Sequence, residues 1–314
     1  MEFYHYILIG ILAVILIYFS FCLFIFLKVF ARKKDFDWDN KNALKKTIYK
    51  DLVDGIETSK QWLKEQKVID FDFSSFDGTK INATFIPVEN ARGTIILAHG
   101  YRGWCVSDFG IVLNLYRQAN LNILMFRQRA HGKSQGKFIT FGAFEHKDLL
   151  SLINYHNENF GKFPIIMSGI SMGASTVLYA ISNDLPSNVK GATADCGFTS
   201  CYQIVKKEIE NIIHIKAGFL MWGVNLWCKA IAKFDAKEYD TEKLLKNAKI
   251  PVIFIHGEAD ELVPLEMSVK SYNACASKKQ LILVKGAGHG MSYLCDAQRV
   301  ANTLNEFFEE VLPK

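Results

Sequence analysis

The sequence predicts a mostly parallel, doubly wound α/β sheet of eight strands with a small helical insertion, carried behind one transmembrane helix. Three observations predict it. Short apolar runs alternate with helix-spaced segments from residue 68 onward, a stretch near the N-terminus carries no charge for about six turns of helix, and a Gly-x-Ser-x-Gly joins a strand to a helix.

The 314 residues, half of them apolar, accommodate one large domain or two small ones. The formal net charge of +5 owes most of its excess to Lys28, Arg32, Lys33 and Lys34, which sit beside the apolar stretch. No nucleic-acid partner is implied. The seven cysteines, Cys22, Cys105, Cys196, Cys201, Cys228, Cys275 and Cys295, are odd in number and include no C-x-x-C pair. They predict reduced thiols, not a disulfide framework or a zinc site.

The first element is the uncharged run from Tyr6 to Leu27. As a helix it reaches roughly 33 Å, enough to cross a bilayer core. A cleaved signal peptide would show a basic residue ahead of a shorter apolar core and a small-x-small cleavage site. Phe21 is also too bulky to precede a lipidated Cys22. Residues 1–34 therefore read as an anchor with a basic flank, whose partner is the lipid bilayer through residues 6–27. Only Glu2 and the α-amino group precede the span, whereas four cations follow it, so the positive-inside rule predicts a single-pass protein of the cell membrane whose main domain, after the span, is cytoplasmic.

Residues 35–67 form a lysine-rich link with Leu52, Ile56, Trp62 and Leu63 at helical spacing, which fits either a connecting helix or a solvated linker. A hairpin follows, Val68 to Phe73 and Ile81 to Val88, with its turn at Phe76-Asp77-Gly78. Further strands are expected at Thr94 to Ala98, Leu121 to Phe126, Pro164 to Ser168, Gly191 to Ala194, Pro251 to Ile255 and Leu281 to Val284. Helices are expected at Phe141 to Asn157, Ala174 to Ser182, Leu265 to Ala276 and Ala297 to Leu312. Between Cys196 and Lys249 no strand is expected, and the apolar run Ile212 to Trp227 fits a helical insertion over the sheet or an ordinary core helix.

In such a sheet, chemistry gathers on the loops after the strands. Gly169-Ile170-Ser171-Met172-Gly173 lies between an apolar strand and the helix-prone Ala174 to Leu178. A serine thrust out at a sharp strand-to-helix turn needs glycines two residues before and after it, because side chains there would meet backbone. A serine hydroxyl is a weak nucleophile and needs an imidazole oriented by a carboxylate. His289, in the glycine-flanked loop after the last strand, is the expected base. Asp260, after the strand ending at Ile255, is the favoured acid and Asp195 the runner-up, while Glu258 and Glu261 read as solvated loop charges. The backbone N–H groups of Tyr101 and Met172 are the expected oxyanion donors, which leaves His99 a structural role. His5, His146, His156 and His214 have no motif context. Ala130-His131-Gly132-Lys133-Ser134 ends like a P-loop but has Arg127 where the first glycine belongs, and no H-E-x-x-H or paired-cysteine set predicts a metal.

These residues together resemble the α/β-hydrolase superfamily from Val68 to Leu312, and within it the bacterial single-pass hydrolases of the serine aminopeptidase-like and Bem46-like group. The resemblance implies an α/β-hydrolase domain over residues 68–314, with Ser171, Asp260 and His289 at the triad positions, Tyr101 and Met172 at the oxyanion positions, and no cofactor. Arg127 to Ser134 looks like the D-x-R-G-x-G-x-S loop, with Arg127 in place of the acid and Ala130 in place of the first glycine. Residues 197–249 would then be the cap, whose apolar content suggests a small-molecule acyl substrate with an apolar group. The activity so implied is serine hydrolysis of an ester, thioester or related acyl bond. Amide cleavage and a non-catalytic membrane scaffold are the rival readings.

Overall fold

The structure, a computed structural model, describes residues 2–47 and 50–313. Its strands are β1 Ile69–Ser74, β2 Lys80–Ile86, β3 Gly93–Ala98, β4 Leu121–Phe126, β5 Ile165–Ile170, β6 Val189–Asp195, β7 Val252–Gly257 and β8 Lys279–Val284. They form one sheet in the order β1-β2-β4-β3-β5-β6-β7-β8. The pairs β1–β2 and β2–β4 are antiparallel and all others parallel. The longer helices are α1 Glu2–Phe30, α2 Val53–Lys64, α3 Cys105–Gln118, α4 Glu145–Asn159, α5 Met172–Ala180, α6 Cys201–Ile213, α7 Gly218–Trp227, α8 Leu265–Ala274 and α9 Ala297–Val311.

Alternation along the strands explains the layering. Ile96 and Ala98 of β3 and Met167 of β5 point into a core shared with α4 and α5, whereas Ile95, Leu97 and Ile166 point to the opposite core, against α3 and α9. Successive side chains of a strand face opposite sides, so strands apolar throughout bury both faces. The eight expected strands are all present. β6 and β8 extend past their apolar runs because ladder pairing carries Val189, Lys279 and Gln280 along with their neighbours.

The helix expected from Phe141 begins only at Glu145. Phe141 and Gly142 have φ of +52° and +94°, which no helix accepts. The Glu145 carboxylate instead accepts the N–H groups of Thr140 and Gly142 at 2.7 and 2.8 Å. α2 is a packed helix, with Ile56 buried and its backbone drawn close to α3. A Cβ on Gly110 would stand 2.4 Å from Ser59 Oγ, so the glycine permits that approach.

α1 is long and apolar enough to cross a membrane. Phe3 to Ile17 are exposed along most of their length, whereas Cys22, Phe26 and Phe30 are fully buried in a core with α6, α7 and the 138–143 segment. α7 crosses α1 closely. Tyr18 Oη donates to Phe219 O at 2.7 Å, Trp227 Nε1 donates to Phe19 O at 3.0 Å, and a Cβ on Gly223 would lie 2.5 Å from Tyr18 Oη. The α1 helix thus enters the folded domain and does not end above it. All seven cysteines are free, and Cys295 alone among them is exposed.

Candidate active site

β5 delivers Ser171 to the carboxyl edge of the sheet. The residue has φ +56° and ψ −118°, a conformation that costs on the order of 1–3 kcal/mol. The strain holds because the residues two before and two after, Gly169 and Gly173, are glycine. A Cβ on Gly169 would lie 2.2 Å from Gly173 O, and one on Gly173 would lie 1.9 Å from Ala98 O. The Ser171 N–H donates to Asp195 O at 2.8 Å, fixing the turn to β6.

A similar close approach brings the other two residues together. A Cβ on Gly257 would lie 2.2 Å from Ala287 O, and Ala259 N–H donates to that oxygen at 2.9 Å, so the loops after β7 and β8 are stapled together. His289 Nδ1 donates to Asp260 Oδ2 at 2.8 Å. Asp260 Oδ1 accepts the N–H groups of Leu262 and Val263, both at 2.9 Å. Burial pushes the Asp260 carboxyl up, but hydrogen bonds from His256 and His289 outweigh it and hold the group well below the usual carboxylate range.

Asp195, the other candidate acid, accepts a hydrogen bond from Ser292 Oγ at 3.2 Å, and its pKa is raised by burial. Glu258 and Glu261 are exposed. With Nδ1 bonded to Asp260, His289 Nε2 is left as acceptor. It lies 3.9 Å from Cys196 Sγ, and His289 lines one cavity of about 120 Å³ with Ser171. The ligand atoms of Cys196, Asp260 and His289 lie within 4.8 Å of one another, but burial raises the Cys196 thiol pKa well above its usual value. A metal would need the thiolate, so the trio reads better as an imidazole with its carboxylate and a neighbouring thiol.

Met172 opens α5, so its N–H has no partner within the helix. In the turn after β3, the Gly100 N–H goes to Asp108 Oδ2 at 2.6 Å and the Arg102 N–H to His131 Nε2 at 3.0 Å, while the Gly103 N–H goes to Gly100 O. The Tyr101 N–H is the amide of that turn with no acceptor among the described residues. His99 Nδ1 donates to Gly100 O at 2.8 Å, and burial holds its pKa well below the usual value, so a neutral imidazole braces the turn.

Of the other histidines, His146 and His156 are buried under the sheet, His214 ends α6, and His5 is on the exposed part of α1. Three contributors escaped sequence reasoning: Asp108, Cys196, and His256, whose Nε2 lies 3.3 Å from Asp260 Oδ2. The spacing of His256, near the end of β7, and Asp260, on the loop after it, was a visible signal. The apolar residues of 197–249, whose content suggested an apolar substrate group, lie away from this cavity. The 120 Å³ cavity is walled by Leu52, Ile170, Leu262 and Met291, with no residue from 197–249, because Phe219 and Trp222 turn toward α1 and the outside.

Residues 89–200 match the family described as serine aminopeptidase, S33. A search of solved structures finds an esterase of Pyrococcus furiosus with a TM-score of 0.65 at 21% identity, covering 79% of this chain and 92% of that one. The chain has the α/β-hydrolase fold. Among curated relatives, this chain is 28% identical over 226 residues to the uncharacterized protein YfhR of Escherichia coli K12, which covers 69% of this chain and 72% of that protein. It is 24% identical over 213 residues to the uncharacterized membrane protein YNL320W of Saccharomyces cerevisiae, covering 66% and 67%. The S33 match contains Ser171, Tyr101 and Met172 and ends before Asp260 and His289.

Proposed function

We propose that the protein is a membrane-anchored serine hydrolase that cleaves acyl esters or thioesters. The observation that carries this reading is a strained, glycine-flanked serine sharing a cavity with an imidazole that a buried carboxylate orients. Ser171 Oγ attacks the carbonyl carbon while His289 Nε2 takes its proton. The tetrahedral oxyanion is received by the N–H groups of Tyr101 and Met172. Collapse breaks the bond to the alcohol or thiol, which leaves with the proton from His289. Water, activated by the same imidazole, then forms the acid and frees Ser171. Asp260 holds the tautomer throughout. Leu52, Ile170, Leu262 and Met291 favour an apolar acyl group at the reacting carbon. The exposed part of α1 supplies the anchor, and the cations after it favour a cytoplasmic catalytic domain.

Labelling of the full chain in detergent with a fluorophosphonate tests the reading. Wild type labels and Ser171→Ala does not, at unchanged circular dichroism. Equal labelling of both would sink it.

A further inference from the structure

Tyr101 belongs to two cavities. One contains Ser171, and the other, of about 490 Å³, lies between the base of α1 and the turn after β3. Four cations line this second cavity, Lys33, Lys34, Arg102 and Arg127, against one carboxylate, Asp35, which already accepts the Gly132 N–H at 2.9 Å. None of the four is in an ion pair among the described residues. Arg102 spends Nη2 on Lys28 O at 2.8 Å and lies over the Tyr101 ring, yet its Nε is buried with no acceptor. Arg127 has a ring, Trp104, under its guanidinium at 4.6 Å, and burial lowers its pKa against the opposing pull of Cys105, Asp35, Asp70 and Asp108. Lys33 is held below the ordinary ammonium value, first by Arg102, then by burial and Lys28.

Cations drawn together around a cavity repel one another, and the half-buried Arg102 and Arg127 also lose hydration while Lys33 and Lys34 stay exposed; a bound anion relieves the repulsion. A dianion suits four cations better than a carboxylate, and guanidinium groups match phosphate oxygens bidentately. Arg127 stands where the D-x-R-G-x-G-x-S pattern has an acid, so the substitution reverses the sign of this wall.

We propose that this cavity binds a phosphate group, and that the acyl substrates cut at Ser171 carry that phosphate, with the ester on the Ser171 side of Tyr101 and the phosphate among the four cations. The assignment rests on the acyl-transfer reading above and names its substrate class, a phosphorylated acyl ester.

The test compares kcat/KM of the full chain in neutral detergent micelles for 1-lauroylglycerol 3-phosphate and for 1-lauroylglycerol. The phosphorylated ester is preferred at least about tenfold. Arg127→Gln and Arg102→Gln each cut that ratio by about tenfold, and Arg127→Lys retains part of it, which a merely misfolded site would not do. Inorganic phosphate inhibits turnover of the phosphorylated ester more than of the neutral one. Equal kcat/KM in wild type, or a preference untouched in both glutamine variants, overturns the proposal. So does a preference seen only in phosphatidylglycerol vesicles, which would report the basic flank on an anionic surface. Thermal stabilisation by inorganic phosphate without substrate preference overturns the substrate assignment and leaves a free-phosphate site. Fluorophosphonate labelling separates the two failures: a labelled enzyme without preference loses only the phosphate site, and an unlabelled one loses the acyl-transfer reading itself.

Discussion

The floor of the candidate site and the base of α1 are built by different means. The floor is backbone geometry: Gly169, Gly173 and Gly257 let main chain approach main chain at distances no Cβ tolerates, and Ser171, Asp260 and His289 stand on the turns this creates. The base of α1 is held by side-chain packing, in which Phe26 and Phe30 stack on each other at 5.5 Å and interlock with Met221, Val224 and Phe234. Backbone constraints are local in sequence and specific to one residue type. Apolar packing accepts many residue types and reveals its partner only in three dimensions.

The comparison can be broken in the floor first. Asp260→Asn should lower kcat by about 10⁴ by favouring the wrong imidazole tautomer, while Asp195→Asn, on an acid that bonds to Ser292, changes it less than tenfold. Steady-state kinetics on a p-nitrophenyl ester would show it, and equal losses would mean that the two acids share the role. At the base of α1, Gly223→Val forces a side chain into Tyr18 and Cys22 and should destabilise the α1–α7 contact by about 2 kcal/mol. Thermal melting and proteolysis between residues 210 and 230 read this out, with fluorophosphonate labelling of Ser171 still present on the folded protein; an unchanged melt with intact α7 would show that the crossing is not close. The smallest effect belongs to Tyr18→Phe, which deletes one hydrogen bond to Phe219 O and should cost about 1 kcal/mol in a denaturant titration. A loss as large as that of Gly223→Val would make the bond, not the close approach, the main tie.

What was legible follows the same division. The elbow at Ser171 and the glycine-rich loop of His289 could be read because each requirement sits within a few residues of the side chain it serves. The sheet could be read because strands buried on both faces are apolar throughout. The run Ile212 to Trp227 could not be assigned a direction, since an apolar helix has the same composition whether it faces substrate, lipid or another helix; here Met221 and Val224 face α1 while Phe219 and Trp222 stay largely exposed. Nor could the start of α4, which depends on a carboxylate folding back on two amides. Ala130 lies between these cases. Its departure from glycine was visible, but only the structure shows it at φ +62°, left-handed and buried, at a cost of roughly 1–2 kcal/mol.

One tie governs how the protein can be handled. Tyr101 Oη donates to Val29 O at 2.6 Å, and Phe30 O accepts the Ile139 N–H at 2.8 Å, so the last turn of α1 is bolted to the turn beside Ser171. A shortened chain beginning after the basic flank, the natural cut for a soluble version, would strip Phe26 and Phe30 from the interior and release the turn carrying the Tyr101 amide. A chain shortened before Tyr18 would keep these contacts together with the apolar stub that carries them.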